Sequence, residues 1–349
     1  MYFSRQLIEW YQKNKRNLPW RKTDDPYVIW LSEIILQQTR VNQGIAYFYK
    51  FLEHYPGIEE FAAAPEDEIL RLWQGLGYYS RARNMLKTAQ MIMQEHAGIF
   101  PSSYDELIKL PGIGEYTASA VASFSSGEPK AVVDGNVFRV LARYFGIDEP
   151  INSSKGKKQF QYLAQEILLN ESPGLHNQAI MEFGALQCKP KNPACGLCPL
   201  QQTCFAYHEG LVNTLPVKIK AGKSRNRYFN YFVIRKDEKI LMKKRGSGDI
   251  WENLFELPLL ESSELLNKEE IPYLEEYKLA FGEQSQIIYS SQPVKHILSH
   301  QNIYASFFEI INIHNKPLKN TDWNYVLIKD LDKLAKSKLM YSFIDKYFI

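Results

Sequence analysis

The sequence predicts two domains of different fold class, a mainly helical N-terminal region followed by an α+β C-terminal domain. The chain has 349 residues, which is long for one compact core. Apolar residues recur every three or four positions from Phe3 to about Ile180, the spacing of helices that bury one face. Beyond a polar, basic stretch at 212–227 they alternate instead, as in half-buried strands.

In the first region, segments with helical spacing are separated by glycine and proline. Such breaks occur at Tyr55-Pro56-Gly57, Gly75–Gly77 and Pro111–Gly114, where these residues disfavour a continuous helix. We expect helices at Tyr27–Gln38, Ile45–His54, Pro65–Gln74, Ala82–His96, Tyr104–Leu110, Glu115–Ser123 and Lys155–Leu169.

The second region begins after the predicted linker. Strands are expected at Tyr228–Arg235, Lys239–Lys243 and Ile303–Ile313, and helices at Glu261–Asn267 and Leu331–Tyr341. We therefore expect a helical region at 1–211, a linker at 212–227 and an α+β domain at 228–349.

Composition is that of an ordinary soluble protein, with 45% hydrophobic and 23% charged residues. No run of about 18 apolar residues predicts a membrane span, and the N-terminus lacks the apolar core of a signal peptide. We expect a cytoplasmic monomer that does not bind membranes. The net charge is +3, and the small basic excess before Arg227 suits a phosphate-binding surface without establishing one.

All four cysteines lie between Cys188 and Cys204, with six, two and five residues between successive members. Clustering in a long chain indicates metal or cluster ligation rather than disulfides. Tetrahedral zinc sites usually have two C-x-x-C pairs, whereas this chain has one pair, Cys195 and Cys198, and two single cysteines. The spacing favours an iron–sulfur cluster over zinc, which stays an alternative.

A two-glycine hairpin lies at Leu110–Ala118, between two predicted helices. Gly112 and Gly114 allow close backbone approach, so the N–H groups at the start of the next helix could bind a DNA phosphate. Glycine hairpins also serve packing alone. This one is followed about twenty residues later by Val133-Asp134-Gly135-Asn136, and the combination is more specific than the hairpin alone.

Two carboxylates are candidates for acid–base chemistry. Glu33 lies among Ile29, Trp30 and Ile34, where burial would raise its pKa and keep it protonated near neutral pH. A helix charge facing solvent is the alternative. Asp134 precedes a helix, the position of a capping residue whose N–H donors keep a carboxylate ionised.

The chain resembles the helix–hairpin–helix DNA glycosylase superfamily, specifically the endonuclease III group and its MutY-type adenine DNA glycosylases. The resemblance rests on the hairpin, the cysteine spacing and the segments Leu18–Arg21, Trp30–Val41, Gly75–Asn84 and Val132–Arg143. It implies a helix–hairpin–helix glycosylase fold with a cluster loop, and a 4Fe–4S cluster on Cys188, Cys195, Cys198 and Cys204.

The resemblance also implies roles for the catalytic candidates. Glu33 would protonate adenine and then activate water, while Asp134 would stabilise the oxocarbenium ion or form a transient adduct. Asn136 and Tyr116 would support the pair. Bifunctional relatives carry a Schiff-base lysine where this chain has Tyr116, so we expect a monofunctional glycosylase.

Further residues match positions that contact DNA in the family. Gln38 and Tyr78 correspond to residues inserted into the base stack, with Thr39 and Leu76 beside them. Core packing is the alternative for Tyr78. Arg16, Trp20 and Gln178 correspond to the adenine pocket, although Trp20 could equally pack at a helix start.

The second domain resembles the Nudix-like domain of these glycosylases, which reads 8-oxoguanine. Trp251–Pro258 matches its tryptophan–proline segment, and no R-E-x-x-E-E-x-G metal box is present, so we expect no pyrophosphohydrolase activity. Ser299 and His300 match the polar part of the lesion-reading Phe-Ser-His loop. Leu298 replaces the phenylalanine, which puts the wedging part of that loop in doubt.

The sequence therefore predicts an adenine DNA glycosylase of base excision repair. Its expected partner is double-stranded DNA containing adenine opposite 8-oxoguanine or guanine. Two rivals stay open: a pyrimidine glycosylase/lyase, disfavoured by Tyr116, and a non-catalytic lesion-binding protein, disfavoured by Glu33 and Asp134.

Overall fold

A computed structural model describes residues 2–220, 222, 224–311 and 322–348. The chain divides into two compact units. The first unit comprises Met1–Ala64 and Asn84–Lys220, and the second comprises Pro65–Arg83 and Ala221–Ile349. The expected domains at 1–211 and 228–349 differ from this division, because a short segment of the helical region belongs with the C-terminal part of the chain.

Contacts within the second unit explain where Pro65–Arg83 belongs. The Lys244 ammonium pairs with Asp67 at 2.7 Å, and the Arg83 guanidinium pairs with Glu252 at 3.3 Å. These partners are 177 and 169 positions apart in the chain. Local sequence patterns therefore carry no signal for them.

The predicted fold class is confirmed, since the first unit is helical and the second contains one mixed and one antiparallel sheet. The α-helices of the described residues are α1 (Tyr2–Asn14), α2 (Pro26–Leu36), α3 (Val41–His54), α4 (Ile58–Ala63), α5 (Glu66–Leu72), α6 (Ser80–Glu95), α7 (Tyr104–Leu107), α8 (Glu115–Ser125), α9 (Gly135–Phe145), α10 (Ser154–Glu166), α11 (Pro173–Leu186), α12 (Phe205–His208), α13 (Glu275–Phe281) and α14 (Lys338–Phe348).

Capping residues explain the bounds of the two helices that matter most for the site. Helix α2 begins after Asp25, whose side chain accepts a hydrogen bond from the Tyr27 N–H. It ends at Leu36, two residues before the predicted end, because Gln38 adopts a left-handed φ of +56°. Helix α9 begins after the Asp134 cap.

One hydrophobic core of the first unit lies where α1, α9, α10 and α11 pack together. Leu7, Leu141, Phe160 and Phe183 are buried in it. A Cβ on Gly184 would lie 2.7 Å from the Cβ of Asn136, so glycine is what allows α11 to approach the start of α9.

The second unit has two sheets, and its strands are β1 (Arg225–Val233), β2 (Arg235–Lys236), β3 (Lys239–Lys244), β4 (Phe255–Glu256), β5 (Leu259–Ser262), β6 (Gln286–Ser290), β7 (Val294–Ile297), β8 (Gln301–Ile311) and β9 (Trp323–Leu327). One sheet has the order β5-β1-β8-β6, with β7 also on β8, and β1 and β8 are parallel. The other has the order β2-β3-β4, with β9 on β3.

Several expected bounds in this unit are wrong. The helix expected at Glu261–Asn267 is absent from these described residues, since Leu259–Ser262 pairs antiparallel with β1. The helix expected at Leu331–Tyr341 begins only at Lys338, after a 3₁₀ helix. Strand β1 starts within the expected linker. The last two residues of the strand expected at Ile303–Ile313 lie outside the described residues.

Among the described residues, no helix combines the length and hydrophobicity that crossing a bilayer requires.

Candidate functional site

A cavity of about 670 Å³ in the first unit is lined by parts of α2, α8, α9 and α11. We call it the catalytic cavity. Most of the predicted site residues of this unit line it, although they come from distant parts of the sequence. These residues are Arg16, Trp20, Glu33, Gln38, Thr39, Gly114, Tyr116, Asp134, Asn136 and Gln178.

Glu33 is a buried carboxyl, with 6% of its surface exposed. Burial raises its pKa, the Tyr116 hydrogen bond lowers it, Asp134 raises it and Arg21 lowers it, and the net result is a pKa of about 7. The Tyr116 hydroxyl donates to Glu33 Oε2 at 2.7 Å. Because burial also raises the pKa of Tyr116, this phenol stays a neutral donor. Glu33 can therefore carry a proton near neutral pH, as predicted.

Asp134 is held differently, by several hydrogen-bond donors at the start of α9. The backbone N–H groups of Asn136 and Val137 each donate to Oδ1 at 2.8 Å, and the Asn136 amide donates to Oδ2 at 2.7 Å. Burial is the largest influence and raises the pKa of Asp134 above its ordinary value, although these donors and Arg139 oppose the rise. Asp134 accepts hydrogen bonds from three donors, which favour its charged form. Among the described residues, Glu33 accepts one hydrogen bond, from the Tyr116 phenol.

The cap of Asp134 is itself braced by Arg139. This guanidinium donates to Asn136 Oδ1 at 2.8 Å, to the Gly184 carbonyl at 2.6 Å and to the Cys188 carbonyl at 2.7 Å. The side chain that orients Asp134 is thus tied to the start of the cysteine segment.

A partly buried ion network forms another wall of the catalytic cavity. The Arg16 guanidinium donates to both carboxylate oxygens of Glu182 at 2.8 and 2.7 Å, and Arg21 donates to Oε2 at 2.8 Å. Burial alone would raise the pKa of Glu182, but these hydrogen bonds lower it to about 2. Glu182 is therefore ionised at neutral pH, in contrast to Glu33.

Other predicted residues line the cavity with less constraint. Gln38 is exposed and lies with Thr39 in the turn after α2. Trp20 is buried and packs edge-on against Phe48, with ring centroids 5.3 Å apart. It therefore both packs at a helix start and lines the cavity, so the two interpretations of this residue hold together.

Gly112 lies in the hairpin and is not among the residues lining the cavity. It adopts a φ of +73°, and an added Cβ would lie 2.6 Å from the Cβ of Asn84. Both features require glycine at this position. Gly114 caps α8, whose first turn carries Tyr116.

The four cysteines line one small cavity of about 30 Å³, and none forms a disulfide. The Arg143 guanidinium donates to Cys188 Sγ at 3.4 Å. In the described part of the chain, no three His, Cys, Asp or Glu side chains are arranged to hold a single metal ion. Four thiol donors around one cavity fit an iron–sulfur cluster.

A second cavity, of about 380 Å³, lies within the second unit, and we call it the loop cavity. It brings Leu76 and Tyr78 together with Ser299 and His300. Ser299 Oγ lies 3.1 Å from His300 Nδ1. Tyr78 adopts a φ of +47° and is 43% exposed, so it is not a core aromatic.

Leu298 also lines the loop cavity but packs against the core of the second unit. Its neighbour Ile297 is 70% exposed. The apolar side chain that reaches solvent here is therefore Ile297, at the end of β7.

Four further residues of the site are not predicted from the sequence: Arg21 and Glu182 line the catalytic cavity, while Arg139 and Asn177 hold the residues around Asp134. Asn177 is buried and accepts a hydrogen bond from the Val132 N–H at 3.1 Å, which holds the segment before Asp134. A signal for Glu182 existed, since it lies between Met181 and Phe183 as Glu33 lies among apolar residues. The partners of Arg139 are mostly carbonyls and have no sequence signature.

Comparison with known families and proteins agrees with this geometry. Residues 31–167 match the HhH-GPD superfamily of base excision DNA repair proteins. Residues 188–204 match the iron–sulfur binding domain of endonuclease III, and residues 230–346 match a NUDIX domain. The cysteine segment is therefore an iron–sulfur binding segment.

Adenine DNA glycosylases of Buchnera aphidicola are among the similar curated proteins. One, from Buchnera aphidicola subsp. Schizaphis graminum, is 41% identical over 73% of this chain and 74% of its own length. Another, from Buchnera aphidicola subsp. Acyrthosiphon pisum, is 36% identical over 86% of this chain and 85% of its own length. The chain belongs to the adenine DNA glycosylase family. It is accordingly a DNA N-glycosylase.

Solved structures of glycosylases are similar to part of this chain. A thermostable thymine-DNA glycosylase is 30% identical and superposes with a TM-score of 0.56, covering 59% of this chain and 95% of the other. A non-covalent endonuclease III–DNA complex is 24% identical, with a TM-score of 0.53 over 60% of this chain and 95% of the other. The latter shares the fold.

Proposed function

We propose that this glycosylase removes adenine paired with 8-oxoguanine, and adenine paired with guanine, from double-stranded DNA. The observation that carries the mechanism is Glu33, a buried carboxyl with a pKa of about 7 in the same cavity as Asp134. A base inside a duplex is out of reach, so adenine must leave the stack and enter this cavity.

Glu33 donates its proton to the adenine ring, which makes the base a neutral leaving group. The C–N glycosidic bond then breaks with its electron pair going to adenine, and the sugar becomes an oxocarbenium ion. Asp134, favoured in its ionised form by three donors, stabilises this cation. Glu33 is now a carboxylate, and it takes a proton from the water that attacks the sugar, so its starting form is restored.

Tyr116 supports the mechanism by holding Glu33, and it offers no amine for a Schiff base. The enzyme is therefore monofunctional and leaves an intact strand with an abasic site. Cys188, Cys195, Cys198 and Cys204 would hold a 4Fe–4S cluster. When bound, the cluster supplies a covalent cross-link of this segment.

The loop cavity is the proposed reader of 8-oxoguanine. Ser299 and His300 carry hydrogen-bonding groups exposed beside Tyr78 and Leu76. The exposed Tyr78 ring offers a surface on which a base can stack.

Single-turnover cleavage of a duplex with adenine opposite 8-oxoguanine tests the proposal, in wild type and Asp134→Asn. We expect strand breaks only after alkali, and a loss of about 10²–10³-fold in Asp134→Asn. Borohydride treatment should trap little enzyme on the DNA. Breaks without alkali, or a strong borohydride cross-link, would contradict the monofunctional mechanism.

A further inference from the structure

Tyr11 on α1 contacts the catalytic cavity through one hydrogen bond, although it does not line the cavity. Its side chain is 2% exposed, and its hydroxyl donates to Gln178 Oε1 on α11 at 2.7 Å. Gln178 lines the catalytic cavity. Among the described residues, no group accepts a hydrogen bond from the Gln178 amide nitrogen.

A glutamine amide has a donor end and an acceptor end of nearly equal shape, and rotation by half a turn exchanges them. The burial of Tyr11 determines which rotamer is favoured. A buried hydroxyl needs an acceptor for its proton. In the described part of the chain, the Tyr11 hydroxyl donates to Gln178 Oε1. Were the amide reversed, Nε2 would face the hydroxyl and the buried O–H would lose its acceptor.

We propose that Tyr11 is a positioning residue that fixes the polarity of the Gln178 amide, and through it selects the base that the cavity accepts. The inference rests on the proposed function. Adenine and hypoxanthine have nearly the same outline, but their base-pairing edges carry exchanged donors and acceptors. An amide of fixed polarity distinguishes such edges, whereas an amide that rotates freely satisfies both.

The surroundings of Tyr11 allow its hydroxyl to be tested alone. The Arg21 guanidinium and the Lys15 ammonium lie over the Tyr11 ring, at 5.6 and 5.5 Å from its centroid. Tyr11→Phe retains the ring on which both cations lie and removes only the hydrogen bond. A thermal melt within a few degrees of wild type checks that the fold is kept.

The test measures single-turnover excision of adenine and of hypoxanthine from duplexes with the same opposing base. In Tyr11→Phe we expect the ratio of the adenine rate to the hypoxanthine rate to fall about fivefold, the size of one hydrogen bond's effect. A purely structural role would lower both rates together and leave the ratio unchanged.

Gln178→Glu provides the matched background. Both oxygens of a carboxylate are acceptors, so rotating the carboxylate of Gln178→Glu does not exchange a donor for an acceptor. In this background, Tyr11→Phe should therefore leave the ratio of the adenine rate to the hypoxanthine rate unchanged, even if both rates fall. An unchanged ratio in Tyr11→Phe alone, or an equal change in both backgrounds, would overturn the inference. A wild type that releases no adenine would instead overturn the proposed function itself.

Discussion

The catalytic cavity and the loop cavity hold their polar groups in opposite ways. In the first, Glu33 and Glu182 are buried, and each is bound by side chains from other elements. In the second, Ser299 and His300 are exposed neighbours on one loop and hydrogen-bond to each other. Burial shifts pKa values and favours chemistry, whereas exposed donors remain available to a partner. We infer that the first cavity performs catalysis and the second performs recognition.

Both cavities nonetheless share one backbone feature. Gln38 in the first, and Tyr78 and Trp251 in the second, adopt left-handed φ values of +56°, +47° and +60°. Such conformations are costly for residues other than glycine and concentrate at functional sites. Gln38 and Tyr78 are exposed in these turns, whereas Trp251 packs edge-on against Phe229.

The largest expected effect comes from removing the acid of the catalytic cavity. Glu33→Gln keeps the side-chain shape but cannot donate the proton, so single-turnover adenine release should fall about 10²–10⁴-fold. Glu53→Gln, an exposed substitution on α3, is the control and should match wild type. If Glu33→Gln released adenine at a rate within threefold of wild type, Glu33 would not be the acid, and the two cavities would no longer differ in chemical role.

The ion network of the catalytic cavity should matter for stability. Glu182→Gln leaves Arg16 and Arg21 without a counter-charge and should lower the free energy of unfolding by about 2–3 kcal/mol. The effect should be smaller than for a fully buried ion pair, because Arg16 is one-third exposed. Since the pKa of Glu182 is lowered to about 2, its stabilisation is present above its ordinary pKa and is lost as the pH falls towards 2. Urea melts at pH 7 and pH 3 measure both effects, and equal stability of variant and wild type at pH 7 would refute them.

Activity should also depend on pH, because Glu33 in the catalytic cavity must be protonated; the loop cavity should not contribute to this dependence. The pKa of Glu33 is raised to about 7, and the mechanism needs its protonated form. The value of kcat/KM should therefore fall about tenfold per unit as the pH rises above 7. A profile that is flat from pH 6 to pH 9 would show that Glu33 is not the acid.

The smallest effect is expected at the loop cavity. Ser299→Ala removes one exposed hydrogen-bonding group, so the preference for adenine opposite 8-oxoguanine over adenine opposite guanine should fall about two- to tenfold. The rate opposite guanine should stay the same. Ser263→Ala, another exposed serine of the second unit, should leave the preference unchanged. An unchanged preference in Ser299→Ala would exclude this serine from recognition.

The sequence predicts the catalytic cavity better than the loop cavity. Glu33 among apolar residues and Asp134 before a helix are local signals, and the structure places both side chains in one cavity. The segment Gly75–Tyr78 gives no such signal for its partners, because Ser299 and His300 are more than 200 positions away. The false helix at Glu261–Asn267 has a related cause, since pairing with β1 overrides local helical spacing.

The central claim is that chemistry and lesion recognition are carried by different cavities. It is tested most directly by single-turnover adenine release opposite 8-oxoguanine and opposite guanine, in wild type, Glu33→Gln and Ser299→Ala. The account predicts that Glu33→Gln lowers release opposite both bases about 10²–10⁴-fold, while Ser299→Ala slows release only opposite 8-oxoguanine. If Ser299→Ala slowed both reactions equally, or if Glu33→Gln changed only the preference, the account would be contradicted.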